Sequence, residues 1–483
     1  MTRLSAHNLP EAIATPSYDR GAVQTGIVHF GIGNFHRAHQ AVYVDDLLNG
    51  GDTQWGITGV SLRSASMRDA LKPQDYLYTL AVLGEANTDY SVIGAIKDVL
   101  AAPQNPQAII DVLAQPTTQL VSSTITEKGY GLASGKVDLD HPNMKAELAS
   151  LDTPTTIYGF LARGIMQRRQ SAGGSKLTIM CCDNISAGGE HLKQGTEHLL
   201  AAHDSDALAW AKDHVSFISS MVDRVSPATD EALRASVLKD TRRSDASPVS
   251  AEPFSQWIIE DNFAGARPDF DKVGAVFVDD IAPFERMKLR YLNCAHTIAS
   301  TLGYLSGDIY VHESLKRPDV LKFMRQALYE NVLPHAAVPQ GYDGATYIED
   351  VITRFQNGNL PYANLQVGTD SSQKIQQRWL PTIDLALKAK ASTSYFEFCL
   401  GAWVIFIQTA LDKKVLNDPK KDELKAVNTS DLSQMISSYL SIANADQYAF
   451  FRNQAFMASV KNYAMAIKTY GIKQALTEFL KDR

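Results

Sequence analysis

The 483-residue chain is longer than one hydrophobic core usually supports, so two or three domains are expected. Its 45% hydrophobic and 20% charged residues are typical of a soluble globular protein, and the net charge of −7 argues against a nucleic-acid-binding surface. Residues 1–10 lack the apolar core of a signal peptide, and the most apolar later segment, 398–407, is too short to span a bilayer. We therefore expect a cytoplasmic protein with no membrane and no nucleic-acid partner.

The four cysteines, Cys181, Cys182, Cys294 and Cys399, show neither paired metal-ligand spacing nor a disulfide framework. Cys181 and Cys182 lie in an apolar run, which indicates small buried side chains. The pattern predicts a reduced protein without a metal site.

Strand and helix patterns alternate in the N-terminal half of the chain. A short apolar strand over 26–30 leads into a glycine-containing turn and a helix over 37–48. Further strands are predicted over 55–62, 76–82, 90–96, 119–126 and 176–182, and helices over 107–113 and 157–169. The strands over 76–82 and 90–96 are close enough to form a hairpin. Strands that alternate with helices predict a mostly parallel sheet with helices on both faces.

Beyond about residue 275, strand signals thin out and long amphipathic segments dominate. Helices are predicted over 284–305, 318–333, 345–355, 381–391, 395–414, 432–442 and 453–481, with loops over 334–344 and 356–373. The change in pattern places a domain boundary near 276–283. The expected architecture is an α/β domain over residues 1–280, followed by a mostly α-helical domain over 281–483.

The turn Gly31-Ile-Gly33 follows the first strand and precedes the first helix, as in a Rossmann-type domain. In such folds the first glycine makes the tight turn, and the second lets the backbone approach a dinucleotide pyrophosphate. His36 replaces the third glycine of the usual fingerprint, so the bare motif also fits a simple structural turn. After the second strand, Arg63 and Ser64 stand where an acidic residue is usual. They suit a 2′-phosphate, unless Arg63 is only a solvated surface residue.

Residues 285–296 contain strong helix formers and no proline, which predicts a helix. At 100° per residue, Lys288, Glu285, His296 and Asn293 fall at roughly 0°, 60°, 80° and 140° on the helical wheel. A lysine, a carboxylate, an imidazole and an amide therefore share one face. The pattern alone favours a structural helix with incidental polar residues.

A set of motifs along the chain matches a known family. The motifs are Gly31-Ile-Gly-Asn-Phe-His-Arg-Ala-His-Gln40, Thr124-Ile-Thr-Glu-Lys-Gly-Tyr130, Cys182-Asp-Asn184, Met221-Val-Asp-Arg-Val-Ser-Pro227, Glu252-Pro-Phe-x-Gln-Trp-x-Ile-Glu-Asp261, Arg267-Pro-x-x-x-Lys-Val-Gly274 and Lys288-x4-Asn293-x2-His296. Together they resemble the polyol-specific long-chain dehydrogenase/reductase family, of the mannitol 2-dehydrogenase and fructuronate reductase type. The resemblance implies a metal-independent, reversible hydride transfer between a nicotinamide cofactor and a sugar alcohol or its ketose.

The resemblance also implies a role for each matching residue. Lys288 corresponds to the general acid/base, Asn184 and Asn293 to two amides beside the reacting oxygen, His296 to a substrate-holding histidine, and Glu285 to a proton-relaying carboxylate. Asp223 and Lys374 match substrate-contacting positions. NAD(H) is the expected cofactor, with NADP(H) as the alternative, and the residues expected to bind it are Gly31, Gly33, Asn34, Phe35, His36, Arg37, Arg63, Thr126 and Glu127.

General chemistry agrees with these roles. Removing hydride from an alcohol carbon requires a base within reach of the hydroxyl proton, and two asparagine NH2 groups can stabilise the developing alkoxide without adding charge. Two structural alternatives stay open. Asn184 could be a turn residue or a cap of the helix expected to open near residue 186, and Asp223 could form a buried salt bridge with Arg224 or Arg243. His39 is interpreted as structural.

Two departures bear on the substrate. Gln366 stands where the mannitol enzymes carry an arginine, and Ser371 replaces the glycine of their Asp-Gly-Ser-x-Lys motif. Residues 372–378, Ser-Gln-Lys-Ile-Gln-Gln-Arg, are more similar to the fructuronate reductases, and Arg378 could bind a hexuronate carboxylate in bidentate fashion. The region around the glycine turn, residues 26–48, in contrast resembles that of the polyol dehydrogenases.

We therefore predict the pair D-mannitol and D-fructose as substrates, with fructuronate and mannonate as the alternative. A catalytically silent sugar- or nucleotide-binding protein is a remote alternative, because Lys288 and both amides are present. No added Arg/Lys cluster for a sugar phosphate stands out. The expected partner is a small-molecule polyol or ketose, and the expected assembly is a monomer or small homo-oligomer.

Overall fold

The computed structural model describes residues 2–133, 135–171, 174–481 and 483. The chain divides into two compact units, Met1–Ala282 and Pro283–Arg483. The first unit contains the strands and nine of the helices described below, and the second unit is helical. Each unit is described by itself.

The strands of the first unit form three sheets. They are β1 (Thr25–Phe30), β2 (Gly56–Ser61), β3 (Tyr78–Leu83), β4 (Thr88–Ile93), β5 (Ile96–Ala101), β6 (Leu120–Ser123), β7 (Leu132–Ala133), β8 (Lys136–Val137), β9 (Leu177–Cys181), β10 (Val215–Asp223), β11 (Val249–Ala251), β12 (Gln256–Glu260) and β13 (Val276–Val278). The main sheet has eight strands in the order β13-β12-β10-β9-β6-β1-β2-β5. Its strands pair in parallel except β10 with β12, which confirms the predicted mostly parallel sheet.

Both faces of this sheet are covered. Adjacent residues of β1 point to opposite faces, so Ile27 joins one hydrophobic core and Val28 the other. Leu120 and Val121 of β6 divide in the same way. The helices of this unit are α1 (Asn34–Ala38), α2 (Gln40–Asn49), α3 (Ser66–Leu71), α4 (Pro106–Ala114), α5 (Pro142–Ala149), α6 (Ile157–Ser171), α7 (Gly188–His203), α8 (Ser205–His214) and α9 (Glu231–Thr241).

The predicted hairpin is present outside the main sheet. Strands β3 and β4 pair antiparallel from Tyr78 with Ile93 to Leu83 with Thr88, and β11 pairs in parallel with β3. The sequence prediction extended the second strand to residue 96, whereas β4 ends at Ile93 and the next strand, β5, belongs to the main sheet. The strands that were not predicted are β5, β7, β8, β10, β11, β12 and β13. In β10, for example, the serines at 216, 219 and 220 interrupt the apolar run that would have marked a buried strand.

The second unit packs its helices around one large core. The helices are α10 (Ala282–Lys288), α11 (Cys294–Ser306), α12 (Val311–Leu315), α13 (Pro318–Ala327), α14 (Gly344–Gln356), α15 (Asn364–Val367), α16 (Ser371–Arg378), α17 (Leu380–Lys388), α18 (Ser394–Asp412), α19 (Lys421–Ala426), α20 (Leu432–Ile442), α21 (Gln454–Tyr470) and α22 (Ile472–Leu480). The predicted single helix over 453–481 is interrupted at Gly471, whose φ of 81° ends α21. The predicted loop over 356–373 contains α15 and the start of α16.

Helix α18 contains the apolar segment that we identified in the sequence, but it is longer than that segment. Its 19 residues and mean hydropathy of 1.3 would by length and composition suit a membrane span. Within the unit, 67% of its apolar window is buried, and Trp403 lies in the core. Burial of about two thirds of this window in the core accounts for its apolar composition.

Candidate active site

The order of the main sheet brings five predicted site regions to one edge. The chain leaves β1 toward β2 on one side and returns to β6 on the other, so a switch point lies between β1 and β6. The strands β2, β1, β6, β9 and β10 are consecutive neighbours in the sheet. At or just after their carboxyl ends lie, in the same order, Arg63, Gly31, Thr126, Asn184 and Asp223. In open parallel sheets, ligands bind beside the carboxyl ends of the strands at such a switch point.

The glycine turn after β1 can be built only with glycine at its first position. Gly31 has a φ of 102°, and a Cβ atom there would lie 2.0 Å from the Thr124 carbonyl oxygen. A Cβ atom on Gly33 would meet nothing within 4 Å, so the backbone there has open space beside it. Helix α1 begins at the next residue. The turn thus fits a loop that lets a pyrophosphate approach the backbone.

A buried histidine network supports this turn from inside. The Thr124 hydroxyl donates to the Gly31 carbonyl oxygen over 2.9 Å, so it must accept the 2.8 Å bond from His29 Nε2. His29 Nδ1 is then an acceptor for the Ser122 hydroxyl, at 2.7 Å. The network fixes a neutral imidazole with its proton on Nε2, and burial lowers the pKa of His29 to about 3.

Acid should therefore destabilise the first unit through His29. A histidine whose pKa is lower in the folded chain than its ordinary 6.5 contributes its full stability above pH 6.5. That contribution is lost as the pH falls from 6.5 toward 3, by about 3 kcal/mol at pH 4.5. The measurement is denaturant unfolding of wild type and His29→Gln at pH 7 and at pH 4.5. The stability advantage of wild type should be about 3 kcal/mol smaller at pH 4.5.

The exposed His7 offers the matched control, because His7→Gln removes a histidine without touching the network. Equal pH slopes for wild type and His29→Gln would contradict the assignment of a neutral buried His29.

The other aromatic residues of the turn region also face inward. The His36 ring stacks on His29 with centroids 3.5 Å apart, and burial together with His29 lowers the pKa of His36 well below its ordinary value. Phe35 stacks on His39 at 5.1 Å, and His39 Nε2 lies 2.9 Å from the Gln256 carbonyl oxygen. His36 and His39 are both buried, so their rings hold the turn against the sheet.

Asn34 and Arg37 connect the turn to the segment that follows β10. The Asn34 amide donates to the Pro227 carbonyl oxygen at 3.0 Å and accepts from Arg37 at 2.8 Å. Arg37 is fully buried, donates to the Ser247 carbonyl oxygen and lies over the Tyr78 ring. The contacts described for both side chains are therefore internal, although the sequence placed them among the cofactor-binding residues.

A carboxylate that sequence reasoning missed holds the turn after β6. Asp183 accepts hydrogen bonds from the Ile125 backbone N–H at 2.6 Å, the Thr126 backbone N–H at 3.2 Å and the Tyr130 hydroxyl at 2.7 Å. Thr126 has φ 67° and ψ 157°, a conformation that non-glycine residues adopt only when their surroundings hold them. Burial raises the pKa of Asp183 to about 6. Its place directly before Asn184 was the available signal.

Asn184 was considered as a possible helix cap. Helix α7 begins at Gly188 with Ala187 in the N-cap position, so Asn184, which is exposed, is not the cap of that helix.

Asp223 was considered as a possible salt-bridge partner of Arg224 or Arg243. It is buried at the end of β10. Arg224 donates to the carbonyl oxygens of Glu252 and Ala38, and Arg243 to those of Asn8, Leu9 and Arg242. The described bonds of both arginines thus go to backbone carbonyl oxygens.

Arg63 lies exposed just beyond β2, as expected for a residue near the adenosine end of a dinucleotide. The hydroxyls of Ser64 and Ser66 lie 2.9 Å apart beside it. The nearby Asp69 carboxylate accepts from Arg68 at 2.6 Å. Because Asp69 is paired with Arg68, this region offers hydroxyl groups and a cation rather than an unpaired carboxylate.

In the second unit, the helix predicted over 284–305 is present, but it is not a continuous α-helix. Helix α10 ends at Lys288, and residues 289–293 form a π turn in which the Cys294 N–H donates to the Leu289 carbonyl oxygen, five residues back. The extra residue rotates everything after it by about 100° relative to an ideal helix. Lys288 and Asn293, roughly 140° apart on an ideal wheel, therefore come close to the same face.

The residues around this turn are mostly buried. Lys288 is 6% exposed and Asn293 5% exposed. Asn293 Nδ2 has no hydrogen-bond partner among the described residues, although a buried amide donor normally has one. His296 is half-buried between the rings of Phe355, at 4.5 Å, and Tyr362, at 5.0 Å. Glu285 is half-buried one turn before Lys288.

Helix α16 carries the two other predicted substrate residues. Lys374 Nζ lies 3.1 Å from the Val367 carbonyl oxygen, and Arg378 is buried at the end of the helix. The left-handed residue before the helix is Asp370, with φ 55°, whereas Ser371 is the first helical residue. Ser371 therefore needs no glycine-like conformation, and its hydroxyl accepts from Trp403.

Comparison with known proteins identifies the family. The model of the mannitol dehydrogenase Rossmann domain matches residues 25–272, and that of the mannitol dehydrogenase C-terminal domain matches residues 280–468. The chain belongs to the mannitol dehydrogenase family. The sequence-based family assignment and fold class are thereby confirmed, and the protein is an oxidoreductase of this family.

Members of the mannitol dehydrogenase family with different names are similarly close to this chain. The D-mannonate oxidoreductase of Escherichia coli (strain K12) is 36% identical over 440 residues, or 89% of either chain. A mannitol 2-dehydrogenase of Phaeosphaeria nodorum is 32% identical over 99% of this chain and 85% of its own. The structure of Pseudomonas fluorescens mannitol 2-dehydrogenase in ternary complex with NAD and D-mannitol is 34% identical, with a TM-score of 0.87 over 100% of both chains.

Proposed function

We propose that this mannitol dehydrogenase family member transfers hydride reversibly between a nicotinamide cofactor and a polyol/ketose pair, D-mannitol and D-fructose. The observation that carries the proposal is the π turn, because it brings the Lys288 and Asn293 positions close to one face of a buried helix. A base and an uncharged donor are the two groups that alcohol oxidation requires.

Lys288 is proposed to take the hydroxyl proton during alcohol oxidation and to return it during ketone reduction. Its place at the end of α10, with little solvent exposure, suits a proton-transfer group that must avoid competing water. Glu285 lies one turn away and is half-buried, so it can pass the proton onward to solvent. The proposed proton transfer through Lys288 and Glu285 needs no metal ion.

Asn184 and Asn293 are proposed to donate hydrogen bonds to the oxygen on which negative charge develops. The buried Asn293 Nδ2 group has no described protein partner, so its hydrogen can be donated to a substrate. His296, Asp223 and Lys374 are proposed to hold the remaining hydroxyl groups of the sugar chain. The aromatic rings around His296 fix the orientation of its imidazole.

The first unit is proposed to hold NAD(H), with NADP(H) as the alternative. The fit rests on the glycine turn, where Gly31 is forced by the approach of Thr124 and the space beside Gly33 stays open. Thr126 and Glu127 follow the neighbouring strand β6 and are both exposed at the switch point. Arg63 favours acceptance of a 2′-phosphate. When bound, the nicotinamide accepts and returns the hydride.

Reduction of fructuronate to mannonate is the second candidate function. It is supported by the 36% identity to a protein named D-mannonate oxidoreductase and by Arg378 in the second unit. The polyol pair is preferred because the glycine-turn region reads like the polyol dehydrogenases, and because the Arg378 guanidinium already donates to protein acceptors.

A panel of polyols, ketoses and hexuronates with NAD(H) and NADP(H) tests the proposal. We expect mannitol oxidation and fructose reduction, both measured by the absorbance of the reduced nicotinamide. Treatment with a chelator should not lower either rate. Much faster reduction of fructuronate than of fructose at equal concentration would transfer the assignment to the second candidate. Absence of turnover with every substrate would favour a silent binding protein.

A further inference from the structure

Arg378 contacts the chain just after the π turn. The helix α16 that carries it ends at this residue, and its side chain is only 9% exposed. Its Nη1 atom donates to the Asn293 carbonyl oxygen at 3.2 Å and to the Thr297 hydroxyl at 2.8 Å. Thr297 in turn donates to the same carbonyl at 3.0 Å. One guanidinium group thus joins a backbone carbonyl and a hydroxyl that already contact each other.

The residue after Arg378 makes a parallel contact. Trp379 is fully buried, and its indole N–H donates to the Cys294 carbonyl oxygen at 3.4 Å. Two consecutive side chains therefore donate to two consecutive carbonyl oxygens, those of Asn293 and Cys294. These are the last residue of the π turn and the first residue of α11. A π turn interrupts the regular hydrogen bonding of a helix, so outside donors at this point can stabilise it.

We propose that Arg378 is a positioning residue, which fixes the π turn and thereby aims the Asn293 amide. The inference rests on the proposed function, since it gives Arg378 its effect through Asn293. It differs from the sequence-based expectation that Arg378 binds a substrate carboxylate. Both hydrogen bonds leave the same nitrogen, Nη1, whose N–H groups are held in the rigid guanidinium plane, whereas the ammonium of lysine sits on a more flexible stem and is not held in that orientation.

Replacing Arg378 with lysine or glutamine distinguishes a positioning role from a carboxylate-binding role, because the two roles predict different kinetics. A positioning residue acts on the reacting centre that all substrates share, and a misplacement of about 1 Å can cost on the order of 100-fold in rate. We expect kcat to fall about 10- to 100-fold by the same factor for fructose and fructuronate, with KM nearly unchanged. Arg378→Lys should retain more activity than Arg378→Gln, because it keeps a charged donor.

The exposed neighbour Gln377 provides the matched control, and Gln377→Ala should leave both rates unchanged. A loss confined to fructuronate, or expressed mainly as a higher KM for it, would overturn the proposal and restore a carboxylate-binding role. Hydrogen-exchange mass spectrometry supplies a readout that needs no turnover. Peptides covering 289–297 should exchange faster in Arg378→Gln than in Gln377→Ala, and equal exchange would also overturn the proposal. An inactive wild type would instead contradict only the proposed function.

Discussion

Replacing Lys288 with alanine is expected to abolish turnover while leaving cofactor binding intact. General acid–base catalysis typically contributes 10²- to 10⁴-fold, so a loss of about 10³-fold or more in kcat is the expected size. The reason is that hydride cannot leave an alcohol carbon unless the hydroxyl proton leaves as well. Stopped-flow measurement of one turnover gives the chemical rate, and titration of NADH fluorescence gives the dissociation constant of the cofactor.

Arg286 allows a matched control for this variant. It lies exposed on the same short helix, so Arg286→Ala removes a cation from α10 without reaching the buried face. If Lys288→Ala kept its rate within about tenfold of wild type, a different residue would have to be the base. Partial recovery of Lys288→Ala by added small primary amines would support the assignment, because an external amine can replace the missing one.

The second large effect is expected for Asn293→Ala, with a loss of about 10²- to 10³-fold in kcat. That is the usual cost of removing one preorganised donor to a developing oxyanion, or about 3 to 4 kcal/mol in the barrier. Asn293 Nδ2 has no hydrogen-bond partner among the described residues, so its removal breaks no described hydrogen bond within the protein. The melting temperature should therefore change little while the rate of hydride transfer falls.

Asn331, in the same unit, is a matched control that should affect stability but not rate. It is also buried, but its Nδ2 donates to the Ser392 carbonyl oxygen at 2.6 Å. Asn331→Ala should therefore lower the melting temperature and leave the rate of hydride transfer unaltered. A variant Asn293→Ala that lost stability but kept its kcat would show that Asn293 is structural. Kinetics and thermal unfolding of the two variants, measured side by side, distinguish the roles.

The sequence alone predicted the elements that local patterns control. Apolar strands such as 26–30 and 176–182 were recognised because a strand buried on both faces needs a continuous apolar run. The glycine turn was recognised because Gly31 and Gly33 stand between a strand and a helix. The change to long amphipathic segments after about residue 275 likewise indicated a helical second part. These features depend on residues close together in the chain.

The features that the sequence missed are accompanied by long-range contacts. The predicted continuous helix became a helix, a π turn and a second helix, and donors 85 residues away, from Arg378 and Trp379, contact the carbonyls beside that turn. The unusual conformation of Thr126 is accompanied by a hydrogen bond to Asp183, 57 residues further along the chain.

Sequence by itself thus determined the family, the two-part architecture and the types of chemical group available, because motifs and periodicity are local. Only the tertiary structure decided how close those groups lie on their shared face, which are enclosed and which have protein partners. Lys288 and Asn293 stand roughly 140° apart on the helical wheel, and the insertion in the helix brings them closer together, which no helical wheel can show. The orientation of a side chain depends on tertiary contacts that form as the chain folds, and those contacts have no fixed spacing in sequence.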